Sequence, residues 1–134
     1  MDLHHIGIVV GSIEQHGGRY AECLGLMALG PAVMDPIQDV RIQFWGDGKR
    51  APVELIEPAS ENSKVSRFLA KGGGLHHLCY EVDDVDSALA DAERKGAICV
   101  CRPVPAVALQ QRRVCFVVYR DLGLVEFLER NGNE

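Results

Sequence analysis

Two histidines and two glutamates stand at one matched interval. His5 and Glu54 are 49 residues apart, and so are His77 and Glu126. Each histidine opens an apolar run, His5-Ile6-Gly7-Ile8-Val9-Val10 or His77-Leu78-Cys79-Tyr80-Glu81-Val82. Each glutamate sits inside another, Val53-Glu54-Leu55-Ile56 or Val125-Glu126-Phe127-Leu128. A carboxylate among aliphatic side chains is costly to bury unless something pairs with it. Two imidazoles and two carboxylates suit a first-row divalent ion, and the carboxylates balance its charge. Such an ion prefers six ligands, so four from the protein leave two positions for water or substrate. One Co, Ni, Zn or Mn ion per chain is therefore expected. Singly, each residue reads better as an ordinary strand residue; recurrence of both types at one spacing reverses that reading. His4 and His76 recur as well. Alternation along a strand turns them away from the face of His5 and His77, so they are given no ligand role.

The spacing belongs to a larger repeat. At an offset of 72, Leu3-His4-His5-Ile6 falls on Leu75-His76-His77-Leu78, Arg41-Ile42-Gln43-Phe44 on Arg113-Val114-Cys115-Phe116, and Val53-Glu54-Leu55-Ile56-Glu57 on Val125-Glu126-Phe127-Leu128-Glu129. Chance matches scatter; these cluster without a gap, as a duplication does. Duplicated modules packed about a pseudo-twofold axis would bring both His and both Glu together.

Each half has the order β-α-β-β-β. In the first, strands are predicted over His5–Val10 and near Met27–Gly30, Val40–Trp45 and Val53–Glu57, with a turn at Asp47-Gly48. The helix runs from Ser12 to Leu24, with Ser12 as cap, Gly25 as stop and an imperfect apolar face of Ile13, Tyr20, Cys23 and Leu24. In the second, Asp84 to Lys95 is a helix with Val85, Leu89 and Ala92 at helical spacing, and Gly96 ends it. Its strands are Leu78–Val82 and segments near Ile98–Cys101, Arg113–Tyr119 and Leu124–Leu128. Ser63 to Lys71 reads as a linking helix, and Gly72-Gly73-Gly74 as a joint.

Composition narrows the class. With 134 residues, 47% hydrophobic and 25% charged, the chain is an ordinary soluble globular one. A net charge of −5 argues against nucleic acid as a general partner. No apolar run approaches the roughly 20 residues that span a bilayer, and Met1-Asp2-Leu3-His4-His5 lacks a secretory start. A cytoplasmic location is expected, with no membrane partner. Cys23, Cys79, Cys99, Cys101 and Cys115 are read as reduced thiols, and Cys99 and Cys101, two apart on a strand, as packing residues on one face. Arg112 and Arg113 form a local basic patch. It reads either as a contact to a substrate phosphate or carboxylate or as a solvated strand edge, the second being preferred.

The segments Leu3-His4-His5-Ile6-Gly7-Ile8-Val9-Val10, Glu54-Leu55-Ile56-Glu57-Pro58, Gly74-Leu75-His76-His77-Leu78 and Val125-Glu126-Phe127-Leu128-Glu129 resemble the vicinal oxygen chelate (glyoxalase/bleomycin resistance/dioxygenase) superfamily. Ser63-Lys64-Val65-Ser66-Arg67-Phe68-Leu69 places the resemblance in its methylmalonyl-CoA epimerase-like branch. The resemblance implies an α+β fold of two tandem βαβββ modules forming a curved mixed sheet around a metal site. Residues 1–134 would be a single domain, with modules 1–59 and 72–134 joined by a linker helix 60–71. It selects His5 over His4 and His77 over His76, and completes the ligand set with Glu54 and Glu126. It further implies an isomerase that moves the proton α to a carbonyl, on a small-molecule substrate such as an acyl-CoA thioester. Glu126 is then the favoured base. The branch carries a glutamate before its third strand, where this chain reads Asp35-Pro36-Ile37-Gln38-Asp39; Asp35, Gln38 and Asp39 are the candidates by position for the other face. Ala106–Arg113 also replaces a glycine-rich loop. A glyoxalase I-type lyase acting on a thiol adduct and a small-molecule-binding resistance protein are the alternatives. A homodimer is expected, since small open sheets pair to protect their edges.

Overall fold

The structure, a computed structural model, describes residues 1–131. The chain folds as two compact units, residues 5–76 and residues 1–4 with 77 onward. Among the described residues, nine strands and three α-helices make the fold mixed α+β, as expected.

Strand β1 (Asp2–Val9) leads into helix α1 (Ile13–Leu24). Ser12 starts the helix from extended backbone, its side chain accepting from the Gln15 N–H. Gly25 ends it at φ 68, a left-handed conformation open to glycine for want of a Cβ, in which the Gly25 and Leu26 N–H groups donate to the Ala21 and Tyr20 carbonyls. Strands β2 (Met27–Ala28), β3 (Val33–Asp35), β4 (Val40–Gly46) and β5 (Val53–Pro58) follow, then the short helix α2 (Ser66–Ala70). The order is β2-β4-β5-β1, with β3 also on β4. β5 runs antiparallel to β4 and parallel to β1.

Register decides which side chains share a face. Glu54 lies opposite Phe44 on β4 and Gly7 on β1. Period-two alternation then puts His5 on the face of Glu54 and Phe44, and His4 on the other. That other face takes α1: Val10, Ile13 and Leu55 are buried together, with Ile8, Tyr20, Trp45 and Val53 against them. The helix face differs from the sequence expectation. Cys23 and Leu24 are exposed, and the inner side is Ile13 and Gly17.

Gly17 is there because nothing larger fits. A Cβ at this position would lie 2.3 Å from Cζ2 of Trp45. The ring cannot swing aside cheaply: its Nε1 donates to Gln43 Oε1 at 2.9 Å, and Gln43 Nε2 donates to the Gly30 carbonyl at 2.9 Å. Alanine in place of a helical glycine normally gains about 1 kcal/mol. Here overpacking outweighs it, and Gly17→Ala is expected to cost a net of about 1–3 kcal/mol. Thermal unfolding checks this; an unchanged or raised midpoint would show that the ring yields.

The other unit repeats the plan. β6 (Gly74–Val82), helix α3 (Val85–Arg94), β7 (Ile98–Ala106), a 3-10 turn (Val107–Leu109), β8 (Arg112–Tyr119) and β9 (Gly123–Glu129) give the order β6-β9-β8-β7. Asp84 caps α3 through the Ser87 N–H. Val85, Leu89 and Ala92 are buried on the helix face, against Cys115, Val117, Val125 and Phe127 of the sheet. Opposite that face, Glu126 is in register with Phe116 and Cys79, so His77, two residues from Cys79, shares their side.

Within residues 60–71 only Ser66–Ala70 is helical. Gly73 has φ 67, and a Cβ there would stand 2.7 Å from the Val9 carbonyl oxygen, so the joint needs glycine on both counts. Among the described residues no helix is long and apolar enough to cross a membrane.

Candidate metal centre

In the unit of residues 5–76, His5 is fully buried and its Nε2 stands 3.5 Å from Glu54 Oε2. In the other unit, His77 Nε2 stands 3.1 Å from Glu126 Oε1, again with both residues buried. Burial of four such groups is expensive unless each has a partner for its charge or lone pair. The separations indicate what kind of partner fits. A charge-assisted N–H···O bond closes to about 2.7–2.9 Å. Two donors bound to one zinc-like ion at about 2.0–2.2 Å, with an angle of about 90–110° between them, stand about 3.0–3.5 Å apart. The His5–Glu54 pair has the longer spacing, and the His77–Glu126 pair lies where the two ranges meet. Two imidazoles and two carboxylates are also a donor set that could hold a metal ion.

Each histidine ring meets a phenylalanine at right angles. Phe44 lies 5.3 Å from His5 between centroids, at 75°, and Phe116 lies 5.2 Å from His77, at 83°. Sequence reasoning matched these two phenylalanines within the repeat and gave them no role. The repeat itself was the available signal. His76 faces elsewhere, its ring 4.9 Å from Phe68.

The candidates for the other face of the substrate have definite surroundings. Asp35 is buried and its Oδ1 accepts from the backbone N–H groups of Ile37 and Gln38, so it holds its own turn. Asp39 adopts φ 59, its carbonyl accepts from the Ala59 N–H, and its carboxylate accepts from the Ser60 hydroxyl. Gln38 and Asp39 are half-buried.

Both arginines of the patch are already paired, Arg113 at the solvated surface and Arg112 largely covered. Arg112 donates through Nε to the Glu129 carbonyl and through Nη2 to Glu81 at 2.7 Å. Arg113 grips both oxygens of Asp86, at 3.0 and 3.1 Å, which raises the guanidinium pKa, the hydrogen bonds to Asp86 contributing most. Arg41 does the same work in the other unit, bridging Glu57 at 2.5 Å and Glu14 at 3.1 Å. In both units an arginine thus ties the sheet to the first turn of the helix.

Of the buried thiols, Cys79 lies in register with Glu126, and Cys115 lies on the opposite, helix-side face. Burial pushes Cys115 up to about 12, and its side chain lies in the helix-side core. Cys99 and Cys101 are both half-buried on β7, but the register shifts between them, Cys99 pairing with Val117 and Cys101 with Phe116, so the single shared face expected from period two is not kept. A maleimide should label exposed Cys23 within minutes and leave Cys79 and Cys115 untouched until denaturant is added. Mass spectrometry of labelled peptides reads the order. Early labelling of Cys115 would mean that the core opens.

Residues 4–116 match the Glyoxalase/Bleomycin resistance protein/Dioxygenase superfamily. The chain belongs to this superfamily. Among its curated superfamily relatives, human mitochondrial methylmalonyl-CoA epimerase is 34% identical over 123 residues, 90% of this chain and 68% of the relative. The ethylmalonyl-CoA/methylmalonyl-CoA epimerase of Cereibacter sphaeroides is 30% identical over 121 residues, 89% of each. Among solved structures, a hypothetical protein of Bacillus halodurans superposes with a TM-score of 0.85 at 33% identity, covering 97% of this chain and 94% of that one. A methylmalonyl-CoA epimerase in complex with methylmalonyl-CoA and ammonium superposes at 0.83 and 27%, covering 98% and 96%. The fold of these superfamily members is the expected one.

Proposed function

We propose that the chain is a divalent-metal-dependent epimerase, moving the proton α to the thioester carbonyl of a methylmalonyl-CoA-like acyl-CoA. The observation that carries the metal is the burial of two His–Glu pairs, with nitrogen–oxygen separations of 3.5 and 3.1 Å, whose two imidazoles and two carboxylates are a donor set suited to a divalent ion. The epimerase relatives support the reaction and the substrate class. His5, Glu54, His77 and Glu126 are the proposed ligand set for that ion.

A bound divalent ion supplies positive charge where the enolate oxygen develops. The protein does the rest. Glu126 takes the α-proton on one face of the substrate and can return it. Asp39 is the candidate that would deliver a proton to the opposite face, with Gln38 beside it as a neutral polar group. Burial of all four side chains away from water strengthens these interactions. The enzyme works as a homodimer in the cytoplasm.

Incubation of the purified protein with methylmalonyl-CoA in deuterated water tests the proposal. One deuterium should enter at the α-carbon at a rate that depends on enzyme and on metal. No incorporation from any branched acyl-CoA, with metal bound, would refute the proposed reaction.

A further inference from the structure

We propose that Phe44 and Phe116 are positioning residues that fix the imidazole planes of His5 and His77 for ion binding; this rests on the metal reading above. A histidine's backbone does not set its ring plane, because rotation about the terminal sp³–sp² bond is broad. A ligand ring must nevertheless aim one nitrogen within a narrow cone. Here each ring carries a perpendicular aromatic neighbour at 5.3 or 5.2 Å, inside the range of about 4.5–7 Å for edge-to-face pairs. Rotating either imidazole by a quarter turn would lose that edge-to-face contact.

The register makes the arrangement specific. Phe44 is the cross-strand partner of Glu54, and Phe116 of Glu126. Each phenylalanine therefore stands beside the carboxylate ligand while touching the imidazole ligand. Neither belongs to the clusters packed beneath α1 and α3, and both are half-buried where their histidines are buried. Their neighbours on β4 and β8 have diverged between the modules, Gln43 against Cys115 and Trp45 against Val117, while phenylalanine has stayed. Core packing would be satisfied by leucine or methionine at either place. A flat ring held at right angles to a ligand histidine is not replaceable in that way.

Cobalt(II) titration of wild type, Phe44→Leu, Phe116→Leu and Phe44→Tyr, followed by visible absorption against a competing chelator, tests this. Each leucine variant should bind cobalt about tenfold more weakly, the scale seen for residues that orient ligands. The double leucine variant should lose about a hundredfold. Phe44→Tyr keeps the ring and should bind as wild type does. The metal-free unfolding midpoint separates positioning from stability: a merely structural role would lower it and leave the affinity of the folded protein alone. Leucine variants that bind cobalt as tightly as wild type overturn the inference and spare the metal reading. A wild type that takes up no cobalt overturns both. Should Phe44→Leu fail to fold, Phe116→Leu decides by the same measurement.

Discussion

His5→Gln should lower bound metal from about one ion per chain to a small fraction of that, and cut turnover by on the order of 10²–10³-fold, the loss typical when a main source of transition-state charge stabilisation is removed. Glutamine is the better test than alanine. It approximates the volume of a side chain that is wholly buried, so it limits the cavity that would otherwise cost a further few kcal/mol. Stability supplies an independent readout. An ion that binds only the folded chain stabilises it by about 2.7 kcal/mol at a hundred times its Kd. In a chain of 134 residues that corresponds to a rise on the order of 10 °C in the unfolding midpoint. Wild type should show the rise with added metal and a fall after chelation; His5→Gln should show neither. Elemental analysis that finds the variant fully loaded would remove His5 from the ligand set.

That prediction could be framed from sequence because the repeat is written in residue types. An offset of 72 sets His5 on His77 and Glu54 on Glu126, and the strands that carry them are short apolar runs with clear ends. Helix limits were equally legible where a side chain enforces them, as at Ser12, Gly25 and Asp84. Other features depend on tertiary context. β3 is three residues between Pro31 and Pro36, with too little period to be seen. β7 continues past Pro103 and Pro105 to Ala106, although proline usually ends a strand. It survives because β7 stands last in its order of strands and shifts register between Cys99 and Val104. Gln110 and Gln111 both adopt positive φ, at 60 and 64°, a conformation their side chains do not announce. The arginine clamps were hidden for a different reason. Arg41 and Arg113 matched in the repeat, but their partners Glu14 and Asp86 come from the helices, and only the packing of helix on sheet brings them into reach.

The repeat leaves one question that only chemistry resolves, namely which of two equivalent carboxylates moves the proton. Glu54 and Glu126 have the same spacing from their histidines, the same aromatic neighbour in register and the same burial, each 4% exposed. A substrate with one α-proton breaks that equivalence. Glu126→Gln keeps an oxygen donor for the ion but cannot accept a proton near neutral pH. At saturating metal, deuterium exchange into the methylmalonyl-CoA epimer whose α-proton faces Glu126 should fall by about 10²–10⁴-fold, the usual worth of a positioned general base. Glu54→Gln makes the same change in ligand charge and should retain most of the exchange once metal is restored. The contrast between the two variants carries the argument, since each loses one negative charge beside the ion. Equal losses would mean that charge at the ion, and not proton acceptance, sets the rate. Undiminished exchange of both epimers in Glu126→Gln with metal bound would exclude Glu126 as a base and move that role to the loop of Asp39, where Asp39→Asn should then produce the larger fall.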